Sequence, residues 1–106
     1  MIKAVVAGAS GRMGKRLVAL MRESADFQVV GAVERKDHVE VGRDAGEVAG
    51  VGPLGVAIVD VVDKALHGAQ VLLDFTAPAA AMRNLEAASQ AGVAVVVGTT
   101  GLSEGD

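Results

Sequence analysis

Val5-Val6-Ala7-Gly8-Ala9-Ser10-Gly11-Arg12-Met13-Gly14-Lys15-Arg16-Leu17 is the stretch that decides the fold. An apolar, β-branched segment stops at a glycine, a glycine-rich turn follows, and an amphipathic stretch begins. That reads as a strand, a tight turn and the first turn of a helix. A helix start leaves backbone N–H groups without intrahelical partners, and the aligned peptide dipoles make that end positive. Small residues in the turn let a phosphate approach those groups closely. Gly8, Gly11 and Gly14 give G-x-x-G-x-x-G, not the commoner G-x-G-x-x-G. In a chain with 14 Gly, that spacing is also met by a plain strand-to-helix turn, with one glycine for positive φ and another for close packing. Context separates the two readings. The turn follows a strand and opens a helix, and Glu34 stands about 20 residues on, as in dinucleotide-binding βαβ units. The expectation is a nicotinamide dinucleotide held at this turn.

Outward from it, Ile2 to Ala7 is apolar without alternation, which predicts a strand buried on both faces. A helix is expected from about Gly11 to Arg22, with Met13, Leu17, Leu20 and Met21 on its inner face. Both methionines then read as core. Phe27 to Val33 is the second strand. Residues 35 to 55 are polar and glycine-punctuated, predicting a long functional or mobile loop with a helical turn near Asp44 to Val48. Val56 to Val59 is a short third strand and Val61 to Leu66 a short helix. Val71 to Phe75 is a fourth strand. Pro78 suits the first turn of a helix running to about Gln90, with Thr76 near its cap and Met82, Leu85, Ala88 and Ser89 inward. Gly92 fits the residue after that helix. Val93 to Val97 is a fifth strand, leading into Gly98-Thr99-Thr100-Gly101. Strands alternating with crossovers predict a Rossmann-like, doubly wound α/β domain of three layers, its parallel sheet ordered 3-2-1-4-5.

The 106 residues suit one domain, and 51% hydrophobic content supplies a core, although aromatics are only 2%. A net charge of −3 argues against a general nucleic-acid binder. There is no Cys, so disulfides and thiolate metal sites are excluded. No apolar run reaches the roughly 18 residues that span a membrane, and no signal-peptide pattern opens the chain. A cytoplasmic location is the default expectation.

Ligands of doubly wound sheets bind beyond the carboxyl ends of the strands. Four such ends carry candidate groups: Gly8 to Arg12, Glu34-Arg35, Asp74-Phe75-Thr76 and Gly98 to Gly101. Glu34 is either a ribose acceptor or a solvated strand end. As a ribose acceptor it favours NAD(H), because a carboxylate repels a 2′-phosphate. Arg12 and Arg35 are suited to grip that phosphate, so tolerance of both cofactors is expected. Asp74 is either a buried acid or a cap for the following helix. His38 reads as a loop residue near an adenine site or merely at the surface, and His67 as the end of a short helix. The carboxylates lack metal-ligand spacing, and no Ser-His-Asp arrangement is present.

Together these segments resemble one family, the dihydrodipicolinate (4-hydroxy-tetrahydrodipicolinate) reductases. The likeness lies in Gly8-Ala9-Ser10-Gly11-Arg12-Met13-Gly14, Glu34-Arg35, Asp44-Ala45-Gly46-Glu47, Asp74-Phe75-Thr76-x-Pro78 and Gly98-Thr99-Thr100-Gly101, in order and across essentially the whole chain. The resemblance implies NADH- or NADPH-dependent reduction of a cyclic imine-type intermediate in lysine and diaminopimelate biosynthesis. It implies a cofactor site at Gly8, Ser10, Gly11, Arg12, Met13, Glu34, Arg35, Phe75, Thr76, Gly98, Thr99 and Thr100. Within it, Gly11, Arg12 and Met13 meet the pyrophosphate and Glu34 the adenine ribose. Arg12 and Arg35 meet the 2′-phosphate, and Phe75, Thr76, Gly98 and Thr100 border the nicotinamide. The family's His-His-x-x-Lys and Ser-Gly-Thr segments have no counterpart here. The chain therefore reads as the N-terminal, cofactor-binding portion, without a catalytic residue and without turnover. The substrate would bind only with the second domain. The full-length family is homo-oligomeric, and a monomer or weak oligomer is expected of this chain. Two alternatives are an NAD(H)-sensing regulatory domain and a truncated extended short-chain dehydrogenase or epimerase, although the Tyr-x-x-x-Lys pair of the latter is absent.

Overall fold

The computed structural model describes residues 1–98. Its elements are β1 (Ile2–Ala7), α1 (Arg12–Glu23), β2 (Phe27–Val33), α2 (Ala45–Val48), β3 (Ile58–Val59), α3 (Val62–Ala65), β4 (Val71–Asp74), α4 (Pro78–Ala91) and β5 (Ala94–Val97). The strands form one sheet in the order β3-β2-β1-β4-β5, with every pair parallel. This is the doubly wound α/β arrangement expected from the sequence.

β1 lies in the middle, so its two faces feed two cores. Ala4 and Val6 pack with Val18 and Met21 of α1, Val29, Ala45 and Ile58. Val5 and Ala7 pack on the opposite face with Val33, Leu72, Ala65, Leu66, Ala88 and Val93. A strand buried on both faces has no reason to alternate, which explains the unbroken apolar run. The burial starts later than expected: Ile2 and Lys3 are exposed, because β4 pairs with β1 only from Ala4 onward.

Two helix faces differ from the expectation. In α1 the buried residues are Gly14, Val18 and Met21, whereas Met13 and Leu20 are exposed. The helix lies too close to the glycine turn for a large side chain: a Cβ on Gly14 would fall 2.9 Å from the Ala9 Cα and overlap the Gly8 carbonyl. In α4 the inward face is Ala81, Asn84 and Ala88, with Met82, Leu85 and Ser89 exposed. Choosing faces by the largest apolar residues fails here, because the layers are spaced by alanine and glycine. Thr76 does not cap α4; the N-cap is Ala77, with Pro78 in the first turn as expected. Gly92 ends the helix at φ 73, in the left-handed region that glycine tolerates.

The irregular segment is held by one side chain. Asp44 caps α2, its Oδ1 accepting the N–H groups of Gly46 at 2.8 Å and Glu47 at 3.1 Å. The same carboxylate accepts Leu54 N–H at 2.9 Å, Gly55 at 2.7 Å and Val56 at 3.2 Å. The Leu54 N–H, opposed by partial burial and joined by those of Glu47, Gly55 and Gly46, holds the Asp44 pKa at about 2, below its ordinary 3.8. Gly46 is required for this closure, since a Cβ there would overlap the Gly52 carbonyl. What reads as a long loop is a closed, backbone-bonded unit leading into β3.

Candidate functional site

The parallel register lines up the carboxyl ends of four strands. Ala7 pairs with Val33 on one side and Asp74 on the other, and Asp74 pairs with Val97. The chain leaving each end is tied to its neighbour: Gly8 N–H donates to Val33 O at 2.9 Å, Phe75 N–H to Ala7 O at 3.1 Å and Gly98 N–H to Asp74 O at 2.8 Å. The glycine turn, Glu34, Phe75-Thr76 and Gly98 therefore border one edge of the sheet, as the sequence suggested.

The three glycines of the turn differ in what the fold asks of them. Gly8 has φ 85, and a Cβ there would meet the Phe75 carbonyl oxygen at 3.1 Å. Gly14 is needed where α1 crosses the turn. Gly11 is unstrained and exposed, with φ −77 and ψ 170, although a Cβ there would press on the Gly8 carbonyl oxygen at 3.3 Å. It is also the N-cap of α1, where no side chain caps the helix and the first turn carries no acid. The positive end of α1 is thus left to whatever lies outside it. Arg12 and Met13 are exposed at this end.

Glu34 faces the turn. One carboxylate oxygen accepts Ser10 N–H at 2.9 Å and the other accepts Arg35 N–H at 3.1 Å. It is half-buried, not a free strand end. The Ser10 hydroxyl beside it is buried and has no hydrogen-bond partner. A buried hydroxyl is ordinarily satisfied, so this atom marks a place where another group belongs. Arg35 and Lys36 are exposed just beyond. His38 N–H bonds Arg35 O at 3.1 Å while its Nδ1 accepts Glu40 N–H at 3.0 Å, so His38 shapes the adjoining turn. His67 lies exposed after α3, away from these groups in the fold.

On the other flank, Asp74 is fully buried. Its Oδ1 accepts Thr76 N–H at 2.8 Å and the Thr76 hydroxyl, and its Oδ2 accepts Asn84 Nδ2–H at 2.9 Å. Of the two readings its sequence position left open, it is the buried acid; it does not cap the following helix, because its acceptors are taken by Thr76 in the turn before α4 and by Asn84 within it, and no side chain caps α4. Phe75 and Thr76 are half-buried, and a Cβ on Gly98 would overlap the Phe75 ring. Thr99 and Thr100 lie outside the described residues. Asn84 was invisible to the sequence reading; its only signal is a polar residue among alanines on the face set by positions 81 and 88.

Among the described residues no group of three or more His, Asp or Glu side chains is placed to hold a metal ion, and no helix is long and apolar enough to cross a membrane. The edge offers an uncapped helix start, a half-buried carboxylate, exposed arginines and an aromatic ring. Such a set suits an extended phosphorylated ligand.

Comparison with known proteins agrees with this geometry. The family described as "Dihydrodipicolinate reductase, N-terminus" matches residues 2–106. The 4-hydroxy-tetrahydrodipicolinate reductase of Anaeromyxobacter dehalogenans is 50% identical over 103 residues, which cover 97% of this chain and 38% of that protein. The enzyme of the same name from Rhizobium meliloti is 48% identical over 105 residues, covering 99% of this chain and 39% of that protein. The chain thus spans well under half the length of these relatives. Among solved structures, the amine dehydrogenase of Mycobacterium smegmatis matches with a TM-score of 0.75 at 27% identity, over 91% of this chain and 29% of that one. The dipicolinate-bound dihydrodipicolinate reductase of Paenisporosarcina sp. TG-14 shares the fold, with a TM-score of 0.72 at 21% identity over 93% of this chain and 37% of that one.

Proposed function

This chain belongs to the family of dihydrodipicolinate reductase N-termini, and from that premise we propose that it is the NAD(P)H-binding part of a 4-hydroxy-tetrahydrodipicolinate reductase, an oxidoreductase of lysine and diaminopimelate biosynthesis. The observation that carries the reading is the partnerless buried hydroxyl of Ser10, set in a turn whose helix start is uncapped. A pyrophosphate suits both vacant donors. Gly11 supports it too: its backbone is unstrained and its only close neighbour is Gly8 O, so the open side of the turn is left to a closely approaching ligand.

In this reading the backbone of Gly8 to Met13 and the Ser10 hydroxyl hold the pyrophosphate. Glu34 takes the adenine ribose, and Arg12 and Arg35 grip a 2′-phosphate when one is present. Phe75, Thr76 and Gly98, with Thr99 and Thr100, border the nicotinamide. When bound, the dinucleotide supplies a hydride donor. The chain's own residues bind and orient; among the described residues none is assigned to protonate a reacting nitrogen or to hold substrate carboxylates. Orientation of a second reactant can be worth roughly 7–11 kcal/mol, so a chain that positions only the cofactor binds without turnover. The substrate would be bound by a further domain, in a cytoplasmic homo-oligomer, and this chain alone would be a monomer or weak oligomer. A match running through residues 2–106 favours this over an epimerase or an NAD(H) sensor.

Calorimetric titration with NADH and NADPH tests the proposal. Saturable binding of at least one is expected, with loss of binding in Gly11→Leu, whose side chain would occupy the approach to α1. No binding by the unaltered chain, or equal binding by Gly11→Leu, would overturn it.

A further inference from the structure

We propose that Asp74 and Asn84 are positioning residues for the nicotinamide half of the cofactor, acting through Phe75 and Thr76. The inference rests on the dinucleotide reading above and extends it to two residues that lie beneath the site.

Asp74 is fully buried, and no salt bridge to it occurs among the described residues. A buried carboxylate is costly to keep, and an apolar residue packs there at no such cost. Leu72, on the same strand two residues earlier and facing the same side, does so. Asp74 instead accepts the Thr76 N–H, the Thr76 hydroxyl and an Asn84 amide hydrogen. Asn84 is the only polar member of the buried face of α4. The carboxylate therefore joins α4 to the turn after β4, and two bonds from the same residue fix the orientation of Thr76.

That turn is confined on its other sides as well. Its Phe75 carbonyl and Thr76 methyl lie over Gly8, where a Cβ would be 3.1 Å from the first and 3.6 Å from the second. The Phe75 ring lies over Gly98, with no room for a side chain beneath it. Phe75 and Thr76 thus form a preset wall, located by Asp74 and Asn84 from below and by two glycines at its flanks. Groups held this way need no ordering when a ring is laid against them.

The test compares NADH with ADP-ribose, which lacks the nicotinamide, on the 106-residue chain. In Asp74→Asn the new amide can be paired again if Asn84 turns its Oδ1 toward it, whereas Asn84→Asp sets two carboxylates together. The double exchange restores one donor facing one acceptor. Asn84→Asp is expected to weaken NADH about tenfold, the scale of a lost hydrogen bond to a charged group, while ADP-ribose changes by less than about twofold. The double exchange is expected to recover NADH binding and the fluorescence of the bound reduced ring. Where Asn84→Asp does not fold, the double exchange decides alone: NADH binding close to the unaltered chain supports the pairing, and weak binding overturns it. Parallel losses of NADH and ADP-ribose, or unchanged NADH affinity, in Asn84→Asp overturn the positioning role while leaving the dinucleotide reading intact. Failure of the unaltered chain to bind either ligand overturns both.

Discussion

The Glu34 carboxylate accepts the backbone N–H of Ser10 at 2.9 Å, joining the end of β2 to the glycine turn after β1. In the proposed reading, the acid that would meet ribose hydroxyls is therefore also part of the turn that would receive the pyrophosphate. Its second oxygen, on Arg35 N–H, keeps the carboxylate beside the guanidinium-bearing residue that would read a 2′-phosphate. On that reading, the discriminating charge and the phosphate site would share one hydrogen-bonded unit.

Glu34→Ala removes this unit's acceptor. NADH affinity is expected to fall about tenfold, as for loss of hydrogen bonds to a charged group. NADPH should lose less, because repulsion between the carboxylate and the 2′-phosphate disappears with the side chain. Calorimetry with both cofactors checks this, and equal losses would count against a ribose role.

Arg35→Ala acts in the opposite sense. Only NADPH carries the 2′-phosphate, so it alone should weaken substantially, by about 1–3 kcal/mol, while NADH changes little. Matching losses for the two cofactors would show that Arg35 does not contact that phosphate.

The architecture was legible because its signals are local. β1 is apolar from Ala4 to Ala7, Gly8 stops it, and Pro78 and Gly92 bracket α4. Strand order followed from alternating strands and crossovers, and the candidate site residues follow from the strand ends that this order brings together. The helix faces were not legible at Met13, Leu20, Met82 and Leu85, because spacing in this protein is set by small residues such as Gly14 and Ala81. Asn84 could not be read either: its partner Asp74 is ten positions away, and only the packing of α4 on the sheet brings them together.

The glycines of the turn separate stability from binding. Gly14→Ala forces a methyl into the Gly8 carbonyl and should destabilise the fold by about 1–3 kcal/mol, the usual range for overpacking. Gly11→Ala keeps an extended backbone that any residue adopts and meets one backbone atom, Gly8 O, at a tight 3.3 Å, so it should cost less than Gly14→Ala, under about 1 kcal/mol. Its main cost should appear in dinucleotide affinity. Urea unfolding of both variants, paired with NADH titration of Gly11→Ala, measures the two effects. A Gly14→Ala chain as stable as the parent would mean that α1 can move away from the turn.

Asp44 gives the chain an acid-sensitive joint. Its carboxylate accepts N–H groups from five residues, Gly46, Glu47, Leu54, Gly55 and Val56, and its pKa is about 2 where 3.8 is ordinary. A group whose pKa is lower folded than unfolded contributes stability that is complete above the unfolded value and vanishes as pH falls through the folded one. The Asp44 contribution should therefore be constant above about pH 4 and disappear between pH 3.8 and about 2. Asp44→Asn keeps the shape but replaces one acceptor oxygen by a donor facing other donors. Urea midpoints of parent and variant should differ most above pH 4 and converge toward pH 2. A gap that does not narrow over that interval would show that the charge on Asp44 does not hold the segment between α2 and β3 closed.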